Sequence, residues 1–373
     1  MCKKFAKPIL TLLCASLLFI LPATTFAGTL FTSDAIYKLE MNGDLRIRYE
    51  YKEKDVDNED PVDRLRQRFR LGMNWNNSDE NWKVAAGLAT GPVDATSTNQ
   101  TYSEQKFFDK GNISLDYAYA EHKISDNYKF IAGQQKNPFE TSWMLWDTDV
   151  RPAGFTAQVV LKPLFITAGY YEARYIDNDI AELGAIQTGV KMDMVTAALA
   201  YYHLGRTDEI LKDLKVTNVD PDYSYDVVDL YVAGNIKAEP VTIKPYAQTW
   251  YNAGAKGDAG QSVLNGTPGG AVLDPEATEN DLAWQIGIES KVDQFTASVD
   301  YTQVGSESCV QGLKDADFGA DLNSTDVQGF KIGLGYSVTK NCSVAATAFF
   351  YEAKERDIDQ NSKLYQFDLN YKF

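Results

Sequence analysis

The chain predicts an all-β fold, a transmembrane antiparallel up-and-down β-barrel of about sixteen strands. Three observations carry this. Polar and apolar side chains alternate down most of the sequence, and no stretch of helical period is long enough to compete. Connections alternate between brief turns and long polar loops over an even number of strands, the rhythm of a barrel with short turns at one mouth and longer loops at the other. The third is "RLRQRFRLGMNW", residues 64–75, which sets an arginine at every second position in a chain with 36 Lys+Arg against 52 Asp+Glu.

The first 27 residues read as a leader. Lys3, Lys4 and Lys7 precede an apolar run from Ile9 to Leu21, and small residues precede an expected cut after Ala27. The run is too short and wrongly flanked for a spanning helix, so this is a secretory signal peptide. Cys14 follows Thr11-Leu12-Leu13, a poor match to a lipidation signal. Cleavage leaves 346 residues and takes away three lysines and no acid, moving the formal net charge from −16 to −19. Such a balance argues against nucleic acid as a partner. No later apolar run approaches the roughly 18 residues of a membrane helix.

Residues 28–373 read as one barrel domain. Strands are expected near 39–51, 64–75, 82–90, 112–122, 128–135, 154–162, 164–174, 184–192, 194–204, 225–237, 241–251, 281–290, 294–304, 326–338, 342–352 and 363–373. The first, "DLRIRYEY", sets Asp44, Arg46, Arg48 and Glu50 against Leu45, Ile47, Tyr49 and Tyr51. The second sets Arg64, Arg66, Arg68 and Arg70 against Leu65, Phe69, Leu71, Met73 and Trp75, with Gln67 an exception on the apolar side. On a helix, residues two apart lie about 200° apart and make no face; on a strand they share one. In "NISLDYAYAE", Ile113, Leu115, Tyr117 and Tyr119 are expected to share a side. "VTAALAYY", "LAWQIGIE" and "FTASVDYT" alternate in the same way.

Brief connections ("NNSDEN", "ISDNY", Lys162-Pro163, Asp193-Met194, "AEP", "KVD", "TKN") alternate with long ones at 91–111, 136–153, 205–224, 252–280 and 305–325. Soluble sandwiches mix their loop lengths between the two ends; a membrane barrel sorts them. Trp75, Trp82, Tyr128 and Tyr336 lie near the brief turns, and Tyr51, Tyr201, Tyr251, Tyr301 and Phe350 near the long loops, as interfacial belts require.

This fold decides where the arginines point. Each arginine facing lipid near mid-membrane would cost roughly 2–4 kcal/mol, so four would cost of order ten, comparable to the whole stability of an ordinary domain. They must face a wet lumen. Same-face neighbours about 7 Å apart repel by roughly 0.6 kcal/mol even in water, so acids are expected opposite them.

The chain ends "YQFDLNYKF", with Tyr365, Phe367, Leu369, Tyr371 and Phe373 on one face. This resembles the terminal signal of bacterial outer-membrane proteins. "GQQKNPF" (133–139) followed by "LWDTDVRPAG" (145–154) resembles the stretch entering the third loop of Gram-negative porins, and is especially similar to the sixteen-stranded "Putative porin" group. The resemblance implies a water-filled barrel in the outer membrane, often a homotrimer, narrowed by loop three (about 136–153) folded into the lumen. It places Glu140, Asp147 and Asp149 on that loop, facing a wall of Arg46, Arg48, Arg66, Arg68 and Arg70, with Arg64 nearer the outer mouth. The partners it implies are membrane lipid and lipopolysaccharide, small hydrophilic solutes and ions, and the barrel-assembly machinery reading Phe373. It implies no cofactor.

Other chemistry fares poorly. A barrel hydrolase needs a base beside a serine, yet the two histidines, His122 and His203, are expected at opposite rims. The acidic runs at 53–60, 177–179 and 274–281 lack the ligand spacing of a calcium loop, and the glycine-rich 252–270 lacks a phosphate-loop context; all read as solvated loops. Cys309 and Cys342 fall at opposite ends of the barrel, about 25 Å apart and beyond the roughly 7 Å limit of a disulfide. The expected function is passive diffusion of small hydrophilic solutes. The alternatives are an anion-preferring or substrate-specific channel, favoured by the arginines, and a non-conducting surface-binding or structural barrel.

Overall fold

In the computed structural model, described residues are 29–32, 37–54, 60–92, 96–108, 110–176, 179–213, 224–255, 281–310, 312–319, 325–354 and 361–373. The expected leader at 1–27, most of the three acidic runs and most of the glycine-rich stretch lie outside them.

Sixteen strands close into a barrel. They are β1 (Tyr37–Lys54), β2 (Val62–Asn77), β3 (Trp82–Thr90), β4 (Ile113–Lys123), β5 (Tyr128–Gln134), β6 (Ala153–Leu161), β7 (Leu164–Ile176) and β8 (Asp179–Lys191). The circuit continues through β9 (Val195–Leu204), β10 (Tyr225–Gly234), β11 (Val241–Asn252), β12 (Leu282–Val292), β13 (Phe295–Val304), β14 (Val327–Ser337), β15 (Cys342–Ala353) and β16 (Asn361–Lys372). Each pairs antiparallel with the next, and β16 returns to β1 from Ser362↔Lys54 to Lys372↔Asp44. Closure leaves no sheet edge, the condition for strands in lipid, where an unpaired backbone group has no water to turn to. Beyond the end of β16, Thr29–Thr32 covers the same edge of β1, with Thr32 opposite Lys38.

Alternation sorts the side chains as the sequence predicts. On β9, Leu199 and Tyr201 are 50 % and 42 % exposed on the outer surface, whereas Ala198 and Ala200 are 2 %. On β12, Ile286 and Ile288 are exposed while Ala283 and Gln285 are buried. The outer surface carries a continuous apolar belt that includes Leu65, Leu115, Ile166, Leu230, Val299, Ile332 and Phe367.

Two local irregularities depart from simple alternation. The register between β3 and β4 shifts between Gly87 and Leu88, so that Leu88 faces Leu115 but Gly87 faces Tyr117. The extra residue, Asp116, is a β-bulge, and a bulge reverses every side chain beyond it. Ile113 and Leu115 therefore point outward, but Tyr117 is buried in the interior, contrary to the expectation that all four share a side. Gly72 and Gly87 make room: a β-carbon at either would overlap the Tyr117 side chain. The second irregularity lies between β7 and β8. There the strands run on to Ile176 and Asp179, opposite one another, with a register shift between Ala181 and Glu182. The expected start of this strand at 184 is five residues late, and the loop-end connection here is two residues, so the short–long rhythm is not strict.

The interior is less uniformly polar than a water-filled tube. Loop 135–152 and a second loop, 305–319, enter the lumen and pack Phe139, Met144, Trp146, Cys309 and Phe318 against Tyr171, Tyr202, Trp250, Phe349 and Tyr351 of the far wall. Cys309 and Cys342 are both free and buried.

Candidate pore constriction

Two adjacent strands build the charged wall. The register sets Asp44 opposite Arg70, Arg46 opposite Arg68, Arg48 opposite Arg66 and Glu50 opposite Arg64. The row thus has acids at its two ends and two arginine–arginine pairs in the middle, which directly opposite like charges make unfavourable. Asp44 takes both lower guanidiniums, Arg68 Nη2 and Arg70 Nε each donating at 2.8 Å. Glu50 accepts from Arg64 Nε at 2.7 Å and from Arg66 Nη1 at 3.4 Å. On the other flank, Asp368 of β16 binds Arg48 through two parallel bonds of 2.7 and 2.9 Å, the bidentate geometry that suits guanidinium and carboxylate. Arg46 is different. Among the described residues it donates to the neutral amide oxygen of Asn99 and meets no carboxylate.

Of the three loop-three acids expected opposite this wall, only Asp149 arrives. Its Oδ1 lies 3.6 Å from Arg70 Nη1, and its Oδ2 accepts from Thr98 N and Oγ1 at 3.1 and 2.9 Å. Glu140 sits half a turn of the barrel away, 2.7 Å from Lys191 of β8, while Gln187 bonds reciprocally to its backbone at 2.8 Å. Asp147 is buried and turned into the loops: it accepts from Asp149 N at 2.7 Å and Ala316 N at 3.2 Å. Burial, with the Asp315 carboxylate beside it, pushes Asp147 up to about 7. Loop three is fastened further by Ser142 N on Gln248 Oε1 (2.8 Å), Trp143 Nε1 on Tyr246 Oη (3.0 Å) and Arg151 on Asp116 (3.0 Å).

The missing acid comes from a second loop, one of the long polar connections between strands. Residues 305–319 lie against loop three through Asp147 N to Leu313 O (2.6 Å) and Asp315 N to Met144 O (3.0 Å). This brings Asp317 Oδ2 to 3.3 Å from Arg48 Nη1 and 3.0 Å from Gln366 Nε2. Lys314 is wholly buried and donates to the carbonyls of Asp315 and Phe318 at 2.9 and 2.8 Å. The sequence carries one sign of this: Cys309, Val310, Leu313 and Phe318 are too apolar for a freely solvated loop. Among the described residues, five of the six arginines therefore meet five carboxylates, Asp44, Glu50, Asp149, Asp317 and Asp368, and Arg46 meets none. The ends of the ladder stay open to solvent, with the Arg64 and Arg70 side chains 33 % and 29 % exposed against 7 % for Arg48.

The histidines lie at the rims. His122 stacks on Trp82 at the turn end, ring centroids 4.3 Å apart, and His203 Nδ1 is 2.7 Å from Asp226 at the loop end. Among the described residues, no group of three His, Cys, Asp or Glu side chains could hold a metal ion.

Residues 54–178 match the sequence profile of the family described as "Putative porin". No curated protein sequence matches the chain. Among solved structures, a doubly substituted Rhodopseudomonas blastica porin aligns with a TM-score of 0.53 at 11 % identity, covering 90 % of this chain and 100 % of that one. A triple mutant of the same porin gives the same values, and a variant with five substitutions gives 0.52 at 10 % over the same coverage. At these identities the likeness is one of fold. Over residues 54–178 the chain is similar in sequence to the "Putative porin" family, and over 90 % of its length it has the fold of a bacterial porin barrel.

Proposed function

We propose that the protein is an outer-membrane porin, a channel rather than an enzyme, through which small hydrophilic solutes and ions diffuse passively. The observation that carries this is the inward arginine ladder with acids set against it from two lumenal loops, inside a barrel whose outer face is apolar. Ordered charges of both signs would line the constriction, formed by Arg46, Arg48, Arg64, Arg66, Arg68 and Arg70 on the wall and by Asp149 and Asp317 opposite. With acids nearly matching arginines, selectivity would be weak, with a small anion preference centred on Arg46. The chain would reach the outer membrane after cleavage of residues 1–27, engage the barrel-assembly machinery through Phe373, and contact lipid and lipopolysaccharide through its belt; a homotrimer would fit the porin fold. The lumenal packing favours a second reading, a non-conducting structural barrel. Reconstitution in a planar bilayer under a salt gradient decides: stepwise currents with a reversal potential near zero or slightly anionic support the porin, and an absence of steps supports the closed barrel.

A further inference from the structure

Lys136 opens loop three, one residue past the neck that Gln135 N closes on Pro152 O at 3.0 Å. Its side chain leans back over the interior ring of Tyr117, Nζ 5.7 Å from the centroid, and stays exposed. Among the described residues no carboxylate bonds to it. The acids around it are held by other groups: Asp116 by Arg151 at 3.0 Å, and Asp44 by Arg68 and Arg70 at 2.8 Å each. Asp149 is likewise taken by Thr98 and Arg70. The charge left over is positive. Partial burial, then the Arg151 and Arg70 guanidiniums beside it, hold the Lys136 ammonium below the usual lysine range. Arg70 reaches the lumen, its side chain 29 % exposed, whereas that of Arg151 is 5 % exposed. Arg46 bonds to Asn99 with its Nε buried in the wall, so it biases the field while offering a solute little to touch.

We infer that Lys136, with Arg70 beside it, is the docking point in the pore for the oxyanion group, carboxylate or phosphate, of a passing solute. An ammonium has three donors and no acceptor, and a guanidinium matches a planar carboxylate or a phosphate edge. Neighbouring cations repel, and an anion shared between them relieves that repulsion. Contact with one ammonium at about 4 Å is worth roughly fivefold in occupancy even in water. That is weak enough for the solute to leave again, which conduction requires. A cation gains nothing here, because every acid within reach already has its partner. The inference rests on the channel reading and deepens it: small acids and phosphates would pass in preference to cations of the same size.

The test is acetylation of Lys136 by uncharged N-acetoxysuccinimide in the refolded full-length protein in detergent micelles, read by peptide mass spectrometry. Inorganic phosphate and acetate are each compared with chloride at equal ionic strength. Both should slow the reaction at Lys136 saturably, by threefold or more, and leave Lys191, which is exposed but bonded to Glu140, unchanged. In R70Q the protecting anion should bind about fivefold more weakly. Equal protection at both lysines, none at either, or an unchanged affinity in R70Q would overturn the inference. The contrast between the two lysines carries the test should R70Q not fold. In planar bilayers K136Q should lower the anion-to-cation permeability ratio about threefold to fivefold, and an unchanged ratio would overturn the inference as well. Conductance without protection overturns this site and leaves the channel standing, whereas protection without conductance upholds the site and overturns the channel.

Discussion

Arg46 and Arg48 are two residues apart on one strand, yet one meets an amide and the other two carboxylates. That difference sets what each would do if altered. Arg48 and Asp368 are both nearly buried, and breaking a buried pair strands a charge at a cost of about 3–5 kcal/mol. Asp368→Ala should fall near about 3 kcal/mol in urea unfolding, the low end of that range, because Asp317 still faces Arg48. The acids of the constriction report on selectivity instead. A unit charge about 7 Å from a passing ion is worth roughly 0.6 kcal/mol in water, close to a threefold change. Asp317→Asn and Asp149→Asn should each raise the anion-to-cation permeability ratio two- to threefold by reversal potential. Glu140→Gln should leave the ratio where it was, since Glu140 is tied to Lys191 on the far wall.

At the scale of elements, the bulge at Asp116 and the two glycines under Tyr117 work as a unit. Gly87→Ala should destabilise the barrel by about 1–3 kcal/mol through overpacking, and adding Tyr117→Ala should restore most of it; the heat-modifiable gel shift of the folded barrel measures both. The two lumenal loops form another unit, and its charges titrate. Burial pushes Asp147 and Glu307 up to about 7, and burial brings Lys314 down to about 8. Asp315, between them, is also pushed up by burial. The raised acids bind protons more tightly in the packed loops, so loop stability falls as pH climbs from about 4 to about 7. The lowered lysine sheds its proton earlier when packed, so stability rises again from about 8 toward 10.5. Proteolysis of the 305–319 loop should therefore be fastest between pH 7 and 8; a rate that changes in one direction only through that window would refute this. Period-2 patterning made all sixteen strands legible, because the two faces meet solvents of opposite kind. The bulge was not legible, because local alternation looks the same on both sides of the residue that inverts it. The arrival of Asp317 rather than Glu140 was hidden for another reason: its contact with Arg48 spans 269 residues of chain, and only the closed barrel brings them together.

For the whole molecule, closure and sorting are one fact. Phe373 joins the two ends of the circuit: its N and O exchange hydrogen bonds of 3.1 and 2.9 Å with Gly43, and its ring lies 6.0 Å from that of Phe69. A β-carbon at Gly43 would overlap the Phe373 ring and the Arg70 carbonyl. Once the circuit is shut, every strand must put one row of side chains toward lipid and the other toward the lumen. Cysteine substitution with a charged, membrane-impermeant thiol reagent, read as single-channel current, tests this most directly, since Cys309 and Cys342, the two cysteines among the described residues, are buried. Modification of R70C should reduce an existing stepwise conductance, and L199C should be inert to the reagent. Reaction at position 199 with none at position 70, or a barrel that passes no current before modification, would contradict it.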